Sequence, residues 1–374
     1  MTSMKNSQAS QTPQTSQAPQ TSQASRTSQA LQASQAPSLL KRVILPIFII
    51  FLIISQTGCS QTSEPKEEEN YFFDVPFKIS IYDLKDGSKD EEEIFDGAWK
   101  LCNKLEKTLS RTIDTSDVGR INSANGEWVE VSDTTIEVLE RSIYYAELSG
   151  GAFDVSIGGV SSLWDFYAED PKLPDQTELS EAVSHVDYRN IEIDGNNVRL
   201  LDPSAQIDLG GIAKGYIADR LTTYLESEGV TSGIINLGGN AVVIGSKPDD
   251  SKFVVGVEKP YSDRTELIGS IECTDKTVVT SGVFEREFEI DGKIYHHILS
   301  VENGYPVDTD LNCVTLIADK GRSMDADALS TICLMLGSEA GKEFIETQDG
   351  IEAVFCLVSG EIITTDGANF VEED

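Results

Sequence analysis

The first 58 residues of this 374-residue chain contain no Asp or Glu; their charges are Lys5, Arg26, Lys41 and Arg42. From Cys59 onward the balance reverses, with 25 Lys and Arg against 63 Asp and Glu, a net charge of −38. A body that acidic repels phosphate backbones, which argues against nucleic-acid binding. Its six cysteines include no C-x-x-C pair, so thiolate metal ligation is disfavoured, and Cys333 and Cys356 in apolar runs read as buried thiols. There are only three histidines, two of them adjacent. No apolar run approaches the roughly 20 residues of a comfortable membrane span. At 39% hydrophobic with 14 Phe and 11 Tyr, the chain still has enough apolar surface to bury a core.

Residues 1–38 are a ragged Ser/Gln/Ala/Thr/Pro repeat, with too little apolar surface to offset chain entropy. Leu39-Leu40-Lys41-Arg42 and the apolar run Val43–Ser55 then fit a basic flank and the hydrophobic region of a signal peptide. Gln56-Thr57-Gly58-Cys59 resembles the lipobox of bacterial lipoproteins, with Gln56 where Leu is usual. That resemblance implies a lipid on Cys59 and an extracytoplasmic protein anchored to the membrane; an uncleaved short anchor is the alternative. We therefore divide the chain into a leader and signal peptide (1–58), an acidic tether (59–70) and one large domain (71–374).

Within that domain the alternation Phe77–Ile81 predicts a first strand. Apolar spacing predicts helices over Glu91–Leu109 and Thr134–Leu148, the second stopped by Gly150-Gly151. Asn190–Leu200 reads as a hairpin and Gly211–Glu228 as a helix; Ile234–Leu237 and Val242–Ile244 read as strands around Gly238-Gly239. Hairpin-like strands fill Phe253–Ile298. Two helices, Asp325–Leu336 and Glu339–Thr347, and two strands, Ala353–Val358 and Glu361–Thr365, complete the reading. Helices and hairpins mix without strict βαβ alternation, which predicts an α+β fold with mixed or antiparallel sheets.

Three segments could carry chemistry. In Asp208-Leu209-Gly210-Gly211-Ile212-Ala213-Lys214-Gly215-Tyr216, a strand-like stretch (Ala205–Leu209) runs into glycines that open a helix, with Lys214 in its first turn. Free N–H groups and a cation there suit a phosphate, although Gly-Gly before a helix also makes an ordinary tight turn. Asp327 and Thr331 are i, i+4 on a helix, so their oxygens share a face. A carboxylate, a hydroxyl and a backbone carbonyl form a partial oxygen shell of the kind Mg²⁺ uses; a dipole-stabilising Asp and a packed Thr is the plain alternative. Last come Thr280-Ser281-Gly282 and His296-His297-Ile298, where at most one of two neighbouring strand histidines faces a given site.

Together, in this order, these segments resemble the FAD:protein FMN transferase (ApbE) family over most of 71–374. The residues carrying it are Ser110, Ser116 and Asn122, Gly151-Ala152-Phe153-Asp154 with Leu163-Trp164, Asp208–Tyr216, Asn236-Leu237-Gly238-Gly239-Asn240, Thr280-Ser281-Gly282, His297-Ile298, Gly304-Tyr305-Pro306 and Ala326–Thr331. The resemblance implies Mg²⁺-dependent transfer of FMN from FAD to a Thr or Ser hydroxyl of an acceptor protein, with AMP leaving. It also implies roles. The Gly211 carbonyl, Asp327 and Thr331 would hold the metal. Ala152, Phe153, Asp154, Asp208, Lys214, Ile298 and Thr112 would lie against FAD. His297 would be the general base, with Asp208 beside it in the catalytic set. Ser300-Val301-Glu302-Asn303 departs from the family pattern after His297-Ile298, and Thr112 replaces a frequent aromatic residue. A small residue there leaves the flavin side open, so that water could compete as acceptor and the enzyme act as an FAD pyrophosphatase. A lipid-tethered flavin carrier without chemistry is the rival from another class. The acceptor motifs of the family resemble Asp/Ser-Gly-Ala-Thr. The nearest match in this chain, Asp366-Gly367-Ala368-Asn369, lacks the hydroxyl, so the acceptor is expected to be another, exported flavoprotein.

Overall fold

Phe77, Ile79 and Ile81 are buried on one side of strand β2 (Val75–Leu84), as their alternation requires. The computed structural model describes residues 64–166, 168–262 and 266–373, which pack as a single domain. The leader and Cys59 lie outside the described residues. The acidic stretch expected as a tether is, from Lys66 on, an edge strand, β1 (Lys66–Phe72), antiparallel to β2. Glu67 there accepts a hydrogen bond from Ser80 Oγ (2.7 Å) and pairs with Lys78 (2.8 Å), while Trp99 Nε1 donates to Glu68 (2.7 Å). An edge strand has one neighbour only, so charge on it is tolerated and discourages pairing with other chains.

The remaining strands are β3 (Val129–Glu130), β4 (Ile191–Asp194), β5 (Asn197–Leu200), β6 (Val230–Leu237), β7 (Asn240–Ile244), β8 (Phe253–Glu258), β9 (Leu267–Cys273), β10 (Lys276–Gly282), β11 (Glu287–Ile290), β12 (Lys293–His296), β13 (Leu311–Asp319), β14 (Ile351–Leu357), β15 (Ile362–Thr364) and β16 (Phe370–Glu372). The helices are α1 (Glu91–Leu109), α2 (Asp117–Ser123), α3 (Asp133–Leu148), α4 (Gly158–Ser161), α5 (Gln176–Ser184), α6 (Ala213–Ser227), α7 (Ser323–Leu336) and α8 (Ser338–Glu346). The main sheet is antiparallel throughout, in the order β1-β2-β6-β7-β10-β13-β14-β15. This is the expected α+β class. Helices α1, α6, α7 and α8 form one layer, with α6 and α7 directly on the central strands. The small sheet β16-β9-β8 is the third layer, sharing a core of Val243, Phe253, Val257, Val278, Ile317 and Val354. Among the described residues no helix is long and apolar enough to cross a membrane.

Local sequence explains α1. The Asp90 carboxylate accepts the Glu92 N–H as N-cap, Glu91–Glu93 meet the positive helix end, and the buried stripe runs Ile94, Phe95, Ala98, Cys102, Leu105, Leu109. By contrast α7 has no side-chain cap of its own. Its first N–H groups, of Ser323 and Met324, donate to the buried Asp219 carboxylate of α6 at 2.9 and 3.0 Å. Asp219→Ala should therefore lower stability by about 2 kcal/mol. Chemical denaturation measures this, and a loss below about 0.5 kcal/mol would mean that the cap is dispensable.

At the C-terminal end of α5, His185 has Nδ1 2.7 Å from Asp202 Oδ2 and Nε2 3.4 Å from Glu181. The Asp202 hydrogen bond raises the His185 pKa above 6.5, and the same bond lowers that of Asp202 below 3.8. The imidazolium contribution is complete below pH 6.5 and fades as pH rises through the raised value. The aspartate contribution is complete above pH 3.8 and fades as pH falls below it. Melting temperature should thus drop more between pH 6 and 8 in the native protein than in His185→Asn; equal slopes would dismiss the pair as a stability element.

Candidate active site

The glycine segment is anchored from both sides. Ser116 N-caps α2 by accepting the Gly119 N–H (2.8 Å) and donates to the Ser110 carbonyl (2.6 Å). From that helix Asn122 grips Ile207, donating to its carbonyl (2.9 Å) and accepting its N–H (2.7 Å). Asp208 N–H donates to the Val155 carbonyl (2.8 Å). The expected strand over Ala205–Leu209 is not regular; it makes one parallel bridge, Gln206 to Ile157, because its neighbours are loops rather than a sheet edge. The chain then turns through Gly210 and Gly211 into α6, as the sequence predicts.

Gly215 is where α6 and α7 touch. A Cβ there would sit 2.2 Å from the Ser323 carbonyl oxygen and 2.7 Å from Asp327 Cβ, so only glycine admits the crossing. This close approach lets the Gly215 N–H donate to Asp327 Oδ2 at 2.8 Å, while Lys214 Nζ stands 3.5 Å from Asp327 Oδ1. Asp327 is 1% exposed, a carboxylate buried against a helix N-terminus and a lysine. One turn on, Thr331 Oγ1 bonds the Asp327 carbonyl (3.3 Å) and borders Gly211, whose missing Cβ would lie 3.6 Å from that hydroxyl and 3.0 Å from the Phe153 ring. The residues expected to hold a metal, Gly211, Asp327 and Thr331, are thus brought together. Among the described residues no cluster of three His, Cys, Asp or Glu side chains could hold a metal by itself. The set fits a hard cation that keeps waters and takes ligand oxygens: every donor is oxygen, and only Lys214 contends for Oδ1.

The two histidines separate as strand geometry requires. His296 ends β12 and is buried, its Nδ1 without a protein partner, and burial pushes its pKa down to about 4. His297 is half-buried. Its Nδ1 lies 3.3 Å from the Arg286 carbonyl, which can only accept, so the proton resides on Nδ1 and Nε2 keeps its lone pair. Desolvation, helped by Arg286 and Lys214, pulls its pKa down to about 3, so the ring is neutral near neutrality. Glu285 has no counterpart among the expected site residues. The residue is exposed, with Lys214, Arg286 and Asp327 near enough to act on its charge. Desolvation holds its pKa above the ordinary range, Asp327 adding to this and Lys214 and Arg286 opposing it. Gly239, at φ +103°, lies beside it: a Cβ there would be 3.8 Å from Glu285 Oε1, an ordinary contact, and a tighter 3.1 Å from the Thr280 carbonyl.

Other expected ligand residues are engaged by the protein itself. Asp154 Oδ1 accepts Ser156 N–H (2.8 Å) and Oγ–H (2.7 Å), and Oδ2 accepts the Tyr188 N–H (2.8 Å), so it organises its own loop; burial raises its pKa. Asp208 accepts from Gly210 N–H (2.9 Å) and Ser161 Oγ (2.7 Å) and pairs with Arg111 (2.9 Å). Ala152 is half-buried in the turn before Phe153, whose ring backs Gly211. Ile298 is committed to the core. Thr112 is exposed, its hydroxyl 2.9 Å from that of Ser110. Arg111 and Ser161 carry no spacing signal; only the Asp208 contact reveals them. Trp164, Phe166, Phe288, Tyr295 and Tyr305 form an aromatic cluster whose Phe166 meets the His297 ring edge-on at 6.4 Å.

Fold and site together define an α+β protein in which an oxygen-donor set, a lysine at a helix N-terminus and a neutral histidine lie near one another. The ApbE family model matches residues 73–355, and the chain belongs to that family. It is 34% identical to an FAD:protein FMN transferase of Treponema pallidum over 280 residues, 71% of this chain and 76% of that protein. A second such transferase, from Klebsiella pneumoniae, is 33% identical over 276 residues, 73% of this chain and 85% of that protein. Among solved structures, the ApbE protein of Thermotoga maritima superposes with a TM-score of 0.74 at 30% identity, covering 81% of this chain and 97% of that one. The flavinyl transferase ApbE of Pseudomonas stutzeri superposes with a TM-score of 0.70 at 27% identity, covering 81% and 94%.

Proposed function

We propose that this protein transfers FMN from FAD to a Thr or Ser hydroxyl of an acceptor protein, forming a phosphoester and releasing AMP. The observation that carries the reading is the meeting of Gly211, Lys214, Asp327 and Thr331 at the α6–α7 contact, with His297 close enough for Lys214 to act on its charge. Gly211, Asp327 and Thr331 would hold Mg²⁺, which when bound neutralises pyrophosphate charge. The chain's own residues do the rest. The N-terminus of α6 and Lys214 favour the diphosphate in an otherwise negative body. His297 Nε2 takes the proton as the acceptor oxygen bonds to the FMN phosphorus and the bond to the AMP oxygen breaks. An anionic diphosphate beside His297 raises its pKa towards a useful range, offsetting Lys214 and Arg286. The Asp208–Arg111–Ser161 group holds the glycine turn in place.

Hydrolysis of FAD to FMN and AMP is the second reading, supported by exposed Thr112, which leaves that side of the site open to water. A lipid on Cys59 and residence on the extracytoplasmic face of the membrane complete the proposal, resting on the lipobox-like sequence. The deciding experiment incubates the protein with FAD, Mg²⁺ and an acceptor domain bearing an Asp/Ser-Gly-Ala-Thr-like motif. Flavin fluorescence that stays on the acceptor after denaturation supports transfer. Free FMN and AMP instead favour hydrolysis, and unchanged FAD overturns both.

A further inference from the structure

Cys313 on β13 and Cys356 on β14 stand directly opposite each other in antiparallel register. Opposed residues of such a pair have Cα atoms about 4.5–5.5 Å apart and side chains on the same face. A disulfide requires Cα atoms about 4.4–6.8 Å apart, so the register alone satisfies it. Both side chains are buried free thiols. On the other flank of Cys313 the register partner is Gly282, which has no side chain to come between the thiols; the Phe284 ring packs over that glycine. Two positions along the β10–β13 ladder from Gly282, the Thr280 and Thr315 hydroxyls meet at 2.9 Å.

We propose that Cys313 and Cys356 form a cross-strand disulfide, joining β13 to β14 beside the Thr280-Ser281-Gly282 segment, when the chain meets a small disulfide oxidant. Cys356, on the β14 side, is taken as the first of the two to lose its proton to solvent, as a thiolate. That thiolate attacks the oxidant disulfide, forming a mixed disulfide and expelling one small thiolate. Cys313 then loses its proton and attacks the Cys356 sulfur, and the second small thiolate leaves. Two protein thiols are oxidised and one small disulfide is reduced to two thiols. Because both sulfurs are buried, exchange proceeds during folding or through local opening of the β14 side.

The test refolds the full chain with oxidised glutathione or with dithiothreitol, alkylates remaining thiols in denaturant, and maps tryptic peptides without reduction. After oxidation the Cys313 and Cys356 peptides should be joined, while Cys102, Cys273 and Cys333 are alkylated. The melting temperature should rise by roughly 5 °C on oxidation and fall back with dithiothreitol. Cys313→Ala and Cys356→Ala should abolish both the link and the shift. Alkylation of Cys313 and Cys356 after oxidation, or capture of either only as a glutathione adduct, overturns the proposal. The wild-type peptide map decides between these outcomes even if a variant does not fold.

Discussion

His297→Ala leaves FAD binding within a few-fold of native and lowers the rate of FMN transfer by about 10²–10⁴-fold, the span expected for loss of a general base. The reason is local. The Arg286 carbonyl holds the Nδ1 proton, so the ring offers a single lone pair, at Nε2, and alanine removes it. The ring does not hold the helices or the glycine turn, so the binding surface survives. The low pKa of His297 sets a second expectation. A group whose pKa is pulled to about 3 in the free enzyme stays neutral through the mildly acid range, so kcat/KM should show no His297-dependent acid limb down to about pH 5. Single-turnover flavinylation measures the first effect and a pH series the second. Transfer in His297→Ala at the native rate would end the base assignment.

Asp327 carries the second large effect, and two substitutions divide its roles. Asp327→Ala leaves the buried Gly215 N–H without its acceptor and the partly exposed Lys214 without its counter-charge, and should cost about 2–3 kcal/mol of stability together with nearly all transfer. Asp327→Asn can still accept the Gly215 N–H, so much of the stability returns. It lacks the charge, so transfer stays down by roughly 10²–10³-fold, the loss typical when one charge-stabilising group is removed from a reaction centre. Denaturant melts and transfer rates on the same two proteins check this. Recovery of activity in step with stability in Asp327→Asn would show that the carboxylate serves only the α6–α7 contact.

Much of the fold is legible where structure is local. The bounds of α1 follow from Asp90, the Glu91–Glu93 turn and a continuous apolar stripe, all within one stretch of chain. The hairpin of β4 and β5 follows from the Gly195-Asn196 turn. Strand β13 escapes a reading by pattern because a central strand buried on both faces has no alternation to detect. The edge strand β1 reads as a tether because acidic composition masks a strand that buries almost nothing. At the site, Gly211, Lys214, Asp327 and Thr331 are visible as motif residues. Glu285 and Arg111 are not, since nothing in their neighbourhoods sets them apart until a partner from elsewhere in the chain arrives.

Composition, periodicity and short spacings are enough to separate a leader lacking acidic residues from a strongly acidic domain, to set the α+β class, and to mark the segments that carry chemistry. They could not show that Asp219 caps a helix more than a hundred residues away, that Gly215 lets Asp327 reach the α6 backbone, or that Cys313 faces Cys356. Each is a contact between distant stretches of chain. Which contact forms is settled by how helices and strands pack against one another, and that packing depends on the whole domain rather than on any one segment.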